Sequence, residues 1–264
     1  MNIPIALTIA GSDSGGGAGI QADLKTFHAF GVYGTSVLTA ITAQNTLGVA
    51  GVHEIPPDLV RKQIDAVVSD LPPNACKTGM LASAELVAVV AQAMADHELA
   101  NYVLDPVMVA TSGDRLLDAD AIGAVRDRLL PRCTVITPNL DEAALLIGAE
   151  VADEAGMEKA ARALVALGAP AALIKGGHLR GNRVVNLLFD GEQLHRWERP
   201  RIATRSTHGT GCTLSAAIAC GLARSQSLTT AVEHALGFVH RAIESAPGLG
   251  AGHGPLNHWV DPYS

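Results

Sequence analysis

Short apolar runs alternate with amphipathic stretches along almost the whole of this chain. Ile5 to Ala10 has the character of a buried strand and is broken by the loop Gly11-Ser12-Asp13-Ser14-Gly15-Gly16-Gly17-Ala18-Gly19. Gln21 to Phe30 reads as a helix, and Thr35 to Thr42 is apolar and β-rich. After Pro56-Pro57, the residues Val60, Ile64, Val67, Val68 and Leu71 recur at helical spacing. Further strands are predicted at Ala75 to Thr78, Tyr102 to Leu104, Thr134 to Thr137 and Ala171 to Ile174. Helices are predicted at Ala84 to Met94, at Asp118 to Leu130, and around Met157, Ala161, Leu164 and Val165. Two shorter strands, Val184 to Phe189 and Leu194 to Arg199, flank the turn Asp190-Gly191-Glu192. Two apolar helices, about Cys212 to Ala223 and Leu228 to Ile243, precede a Gly-rich tail.

Strand–helix alternation at this spacing predicts an α/β fold, a mostly parallel sheet covered by helices on both faces. Neither an internal repeat nor a linker-like shift in composition divides the chain, so residues 1–264 are expected to form a single domain. In such sheets ligands bind beyond the carboxyl ends of the strands. The polar residues that follow the strand candidates are Gly11 to Gly19, Gln44-Asn45, Lys77 to Met80, Asp105, Asn139, and Lys175 to His178. Singly each is an ordinary polar loop; six converging on one rim point to a site.

Composition narrows the class of partner. Apolar residues make up 48% and charged ones 17%, which excludes a disordered chain, and the 3% of aromatics does not suit a tyrosine-rich binding surface. A net charge of −7 with no basic run argues against nucleic acid and anionic membranes, leaving small molecules as the expected partners. The cysteines Cys76, Cys133, Cys212 and Cys220 form no CxxC pair and have no histidines at zinc-ligand spacing. A reducing cytoplasm is therefore the expected location. The start, Met1-Asn2-Ile3-Pro4-Ile5, carries no basic segment, and the apolar run behind it is too short to span a bilayer.

Two common nucleotide fingerprints are absent. No Gly-x-x-x-x-Gly-Lys-Ser/Thr occurs, and Ile20 stands where Gly-x-Gly-x-x-Gly would need its last glycine. A second glycine loop, Thr207-His208-Gly209-Thr210-Gly211-Cys212-Thr213, runs straight into the apolar helix Leu214 to Leu222. Two glycines let backbone N–H groups turn inward, and the helix start adds the positive end of its dipole. That assembly suits a phosphoryl group or a developing negative charge. Cys212 in the first turn is expected to have a lowered pKa and to serve as a general base toward a substrate hydroxyl; the alternative is a buried, inert thiol. Cys220, eight residues on, reads as core.

Phosphoryl transfer needs a divalent metal and a cation near the transferred group. Asn139-Leu140-Asp141-Glu142 follows a strand and opens a helix, reading either as a capping box or as a place where Glu142 helps hold a hydrated Mg²⁺. Asp105 is expected to share that metal from the neighbouring strand end. Lys175, before two glycines, reads as a phosphate-contacting lysine or a solvated one. On the acceptor side, Gln44 offers an amide donor and acceptor that match an aminopyrimidine edge. Asp23, one turn into the first helix, reads as a ligand for a hydroxymethyl or amino group, or as a favourable acid near a helix start.

The segment from Ala10 to Thr26, AGSDSGGGAGIQADLKT, resembles the opening motif of the hydroxymethylpyrimidine/phosphomethylpyrimidine kinases of thiamine biosynthesis. So do Thr42-Ala43-Gln44-Asn45-Thr46, Lys77-Thr78-Gly79-Met80-Leu81, Asp105-Pro106-Val107-Met108 and Thr137-Pro138-Asn139-Leu140-Asp141-Glu142. Lys175-Gly176-Gly177-His178 and Thr207 to Ser215 complete the series, in family order over roughly residues 5 to 220. One departure is Asp13-Ser14-Gly15, where the family commonly has Asp-Pro-Ser.

The resemblance implies a ribokinase-like three-layer α/β/α fold without a large lid domain, and two successive ATP-dependent phosphorylations of 4-amino-5-hydroxymethyl-2-methylpyrimidine. By position, Gly11, Asp23, Gln44, Met80 and Val107 would line the pyrimidine pocket. Cys212 would take the place of the catalytic Asp of most ribokinase-like enzymes, with Gly209 and Gly211 forming the anion hole. Asn139 and Glu142 would fall on the family's Mg-phosphate motif and Lys175 on its phosphate-contacting lysine, with Thr207, Gly209, Thr210 and Gly211 joining Asn139 and Lys175 around ATP. Relatives suggest a homodimer. The rival readings are a pyridoxal kinase, which shares the fold and phosphorylates a hydroxymethyl group on a nitrogen heteroaromatic ring, and a regulatory protein that kept the pocket and lost turnover.

Overall fold

A computed structural model describes residues 3–108, 119–179 and 181–264; the expected helix start at Asp118, like Met1 and Asn2, lies outside the described residues. Nine strands form one sheet: β1 (Ile5–Asp13), β2 (Tyr33–Asn45), β3 (Gly48–Glu54), β4 (Ala75–Thr78), β5 (Tyr102–Leu104), β6 (Val135–Ile136), β7 (Ala172–Lys175), β8 (Arg183–Phe189) and β9 (Leu194–Pro200). Their order is β3-β2-β1-β4-β5-β6-β7-β8-β9. The run from β2 to β7 is parallel, and β3, β8 and β9 add antiparallel margins.

The interior strands are largely apolar on both sides because both faces are covered, with buried Lys77 and Thr78 of β4 as departures. Leu7 and Ile9 of β1, Tyr102 and Leu104 of β5, and Ile174 of β7 pack toward one layer of helices. That layer holds α2 (Pro57–Asp70), α3 (Ala84–Asp96), α4 (Ala119–Ala124), α5 (Leu140–Ile147) and α6 (Glu154–Ala166). The alternate positions Ala6, Val103 and Leu173 pack toward α1 (Gly19–Ala29), α7 (Thr210–Ala223) and α8 (Leu228–Glu244). The expected three-layer α/β/α arrangement is thus present, and no helix among the described residues is long and apolar enough to cross a membrane.

Two differences from the sequence expectation bear on the rim of the sheet. β1 runs on to Asp13 rather than ending at Ala10, because β2 is long enough to pair with the extension; the register shifts between Ala10 and Ser12. β3 is not expected from the sequence. It is an edge strand paired only to β2, and no buried–exposed alternation marks it, because five of its seven residues face solvent.

The parallel strands end on one rim, so the segments after β1, β2, β4, β5, β6 and β7 meet there. α7 aims its N-terminus at the same rim. Eleven of its residues are buried, and its side chains are mostly Ala, Gly, Ser, Thr and Cys. Small side chains let the helix lie close to the sheet and to α8.

Candidate active site

The start of α7 is set by backbone geometry. Gly209, the N-cap, has φ 82°, and a Cβ there would collide with the carbonyl oxygen of Gly17. No side chain caps this helix. The Thr210 N–H donates to the Thr207 carbonyl at 3.3 Å. Gly211 and Cys212, the next two residues, belong to the first turn, whose N–H groups have no intrahelical acceptor. Both residues line a cavity of about 840 Å³. An uncapped helix start on a cavity is a receptor for an anionic group.

Beneath it five groups of alternating charge are linked, four of them buried and Lys175 half-buried. Lys77 Nζ donates to both Asp23 carboxylate oxygens, at 3.1 and 3.0 Å, and lies 4.0 Å from Asp105 Oδ2. Lys175 Nζ donates to Asp105 Oδ1 at 3.1 Å and lies 3.6 Å from Glu142 Oε2. Burial opposes the charge on Lys77, but Asp23 and the neighbouring anionic groups outweigh it and raise its pKa, keeping it protonated. Burial pushes Glu142 up to about 7, against the pull of Lys175 and with the help of Asp105. Asn139 and Glu142 form a reciprocal capping box: Glu142 N–H donates to Asn139 Oδ1 at 2.9 Å, and Asn139 N–H donates to Glu142 Oε2 at 2.7 Å.

At the other end of the cavity the walls are apolar. Met80 packs over Gly11, where a Cβ would meet Met80 Cε at 2.8 Å, and Val107 lies on the same cavity. Gln44 is fixed by Ser14, whose hydroxyl accepts from the Gln44 N–H at 2.8 Å and donates to its carbonyl at 2.9 Å. An apolar wall with a carboxamide beside it suits a small heteroaromatic ring.

Of the expected site residues, Gly11, Gln44, Met80, Asp105, Val107, Asn139, Glu142, Lys175, Thr207, Gly209, Thr210, Gly211 and Cys212 all line this one cavity. Three expectations need correction. Asp23 is fully buried and does not line the cavity; its carboxylate is taken up by Lys77 and by the Thr8 hydroxyl at 2.6 Å, so it anchors a lysine rather than a ligand. Asp105 is enclosed by Lys175, by Ser215 Oγ at 3.1 Å and by Thr137 Oγ1 at 3.4 Å, which makes it an anchor for two cations instead of an open metal ligand. Cys212 is not acidified: burial pushes its thiol up to about 11, because Asp23 and Asp105 add to desolvation and Lys77 offsets only part of it. Among the described residues no cluster of three or more His, Cys, Asp or Glu side chains is arranged to hold a metal.

Some of the lining is missing from the sequence reading. Val49 and Val52 come from the unexpected β3, and Lys77, Asp13 and His208 sit in motifs that give them no separate role. Leu236, Val239, His240 and Ile243 also line the cavity. They recur along one face of α8, a pattern visible in the sequence but indistinguishable there from core packing.

Comparison with known proteins identifies the family. The family model described as phosphomethylpyrimidine kinase matches residues 13–257. The hydroxymethylpyrimidine/phosphomethylpyrimidine kinase of Rhizobium meliloti is 54% identical, covering 97% of each chain. The thiamine biosynthesis bifunctional protein ThiED of Geobacter sulfurreducens is 51% identical over 96% of this chain, and the chain spans about half the length of that relative, 51% of it. A Bacillus subtilis pyridoxal kinase, solved as an ADP complex, superposes with a TM-score of 0.91 at 40% identity, covering 97% of this chain and 98% of that one. With a family match over nearly its whole length, the chain belongs to the phosphomethylpyrimidine kinase family.

Proposed function

We infer that this chain transfers the terminal phosphoryl group of ATP to the hydroxymethyl group of 4-amino-5-hydroxymethyl-2-methylpyrimidine, and then a second one to the resulting monophosphate. Residues 1–264 act as one kinase domain. The observation that carries this reading is the uncapped start of α7, which opens onto a cavity shared with Lys175 and with the Gly11–Met80 slot. The use of a nucleotide is supported by the ADP complex of the Bacillus subtilis relative.

In each transfer an acceptor oxygen bonds to the terminal phosphorus while the bond from that phosphorus to its bridging oxygen breaks. Charge spreads over the remaining phosphoryl oxygens. The amides of Gly211 and Cys212 and the ammonium of Lys175 are placed to receive it, and being fixed in advance they need little reorganisation. In the first transfer the thiolate form of Cys212, a small fraction at neutral pH, takes the hydroxyl proton. In the second the acceptor is a phosphate oxygen, already ionised at neutral pH, and no base is required.

The donor set also fits a hydrated Mg²⁺. Asp23, Asp105 and Glu142 are paired with two cations, Lys77 and Lys175, so the linked chain carries one negative charge more than it balances when Glu142 is ionised. Glu142 and Asn139 would hold the ion through its water, since their polar atoms already cap α5. The ion would supply positive charge to offset that of the phosphates.

Release of ADP, followed with the pyrimidine alcohol, its monophosphate, pyridoxal and no acceptor, tests the reading. Turnover with both pyrimidines is expected. The likeness to a pyridoxal kinase makes pyridoxal the second candidate. Turnover with pyridoxal alone would replace the proposed substrate, and none above the acceptor-free rate would leave a binding protein.

A further inference from the structure

Asp13 and His208 are 195 positions apart in sequence, yet His208 Nε2 and Asp13 Oδ2 lie 2.8 Å apart. Both residues are buried, at 2% and 8% exposure. Asp13 closes β1, and its carboxylate also accepts the N–H groups of Gly15 at 2.8 Å, Gly17 at 3.0 Å and Ala18 at 2.8 Å. It therefore folds the loop that leads into α1. Burial works against its ionisation, but the histidine and these amides outweigh burial and hold the carboxyl below its ordinary range.

His208 immediately precedes Gly209, the N-cap of α7, and its own N–H donates to the Gly254 carbonyl at 3.1 Å. The two loops interlock beside this contact. The Gly17 carbonyl oxygen occupies the place a Gly209 Cβ would need, and a Cβ on Gly17 would meet His208 Cδ2 at 2.6 Å. A carboxylate at 2.8 Å requires the ring hydrogen on Nε2. Gln44 Nε2 lies 3.4 Å from that same ring nitrogen, which consequently cannot accept from it. The amide hydrogens of Gln44 are left for a ligand in the cavity.

We propose that His208 is a positioning residue for phosphoryl transfer: by binding Asp13 it fixes the distance between the acceptor loop and the amides of Gly211 and Cys212. The proposal rests on the kinase reading above and adds a residue that touches neither the transferred group nor the base. Its mechanical consequence differs from that of Cys212. Both transfers use the same amides, so loosening the Asp13–His208 link slows both in proportion, whereas loss of a base slows only the first.

The test compares His208→Leu, His208→Gln, Asp13→Asn and the double variant His208→Leu/Asp13→Asn in the full chain. Steady-state kinetics with the pyrimidine alcohol and with its monophosphate are combined with amide hydrogen exchange over residues 14–19 and 207–213. In His208→Leu, kcat is expected to fall about tenfold or more with both acceptors alike, while the KM for ATP stays within about threefold. Exchange is expected to accelerate in both loops together. His208→Gln, whose carboxamide N–H can still reach Asp13, should recover most of the rate, and the double variant should be no slower than the slower single one. A loss confined to one acceptor, exchange that changes in only one loop, additive losses, or a Gln variant as slow as the Leu variant would each overturn the proposal. Should His208→Leu fail to fold, His208→Gln and Asp13→Asn decide in the same terms, with a proportionate loss expected only in the latter. A wild type without turnover on either pyrimidine removes the kinase reading itself; an active wild type with unaffected variants removes only the role of His208.

Discussion

Cys212 illustrates how a local signal is reversed by its surroundings. The sequence places the thiol in the first turn of a helix, a position that favours the thiolate. Desolvation and the carboxylates of Asp23 and Asp105 favour the thiol more strongly, and it is pushed up to about 11. Those carboxylates arrive from α1 and from the end of β5, so no reading of the residues near Cys212 could have found them. The consequence can be measured. Below its pKa, the thiolate fraction of Cys212 rises tenfold for each pH unit, so the first phosphorylation should speed up steadily from about pH 7 to 9. The second, with an ionised acceptor, should be nearly flat over that range. Cys212→Ser should lower the first rate by about 10²–10⁴ and the second far less. Comparing the two pH–rate profiles in wild type and variant settles it; equal losses in both transfers would reject the base role.

α7 shows what an element can contribute that single residues do not. Its small side chains bring the helix down onto the sheet, and its left-handed N-cap leaves a first turn that no side chain caps at the wall of the cavity. Gly209→Ala forces a Cβ into φ 82°, at a cost of about 1–2 kcal/mol, and against the Gly17 carbonyl. The loop must shift, and a displacement near 1 Å is expected to reduce kcat about 10²-fold with both acceptors. Melting and kinetics together check this: a stable variant with wild-type rates would show that the amides are not the receptor. The legibility of the elements follows the same physics of burial. The bounds of β5 are readable in the sequence because a strand covered on both faces is a short apolar run. β3 is not, because an edge strand with Gly48 and Gly51 and outward-facing residues carries neither an apolar run nor clean alternation. The capping box of α5 is legible as an Asn followed three residues later by Glu, although its second reading, as a metal-holding pair, is equally compatible with the same letters.

Across the molecule, sheet order converts scattered motifs into one site. Residues from the ends of β1, β2, β4, β5, β6 and β7 can be grouped from sequence because parallel strands share a carboxyl rim, and all but Asp23 of those expected as ligands line the cavity. The sequence could not show that the acids and lysines among them are consecutive links from Asp23 through Lys77, Asp105 and Lys175 to Glu142. That chain runs from the acceptor side to the nucleotide side and ends on a carboxyl group raised to about 7, so its last link gains from any cation brought to it. A nucleotide bound without metal adds negative charge next to Glu142, whereas the metal–nucleotide complex brings compensating charge. ATP with Mg²⁺ should therefore stabilise the fold more than the sum of the two added separately. At a ligand concentration of 100 Kd the gain is about 2.7 kcal/mol, enough to read as a shift in Tm of several degrees. In Glu142→Gln the excess over the separate additions should largely disappear, because the carboxamide has no charge for the ion to compensate, while stabilisation by ATP alone should be kept or improved. Thermal melting of both proteins with ATP, with Mg²⁺ and with both measures this difference, and an undiminished excess in Glu142→Gln would place the ion elsewhere.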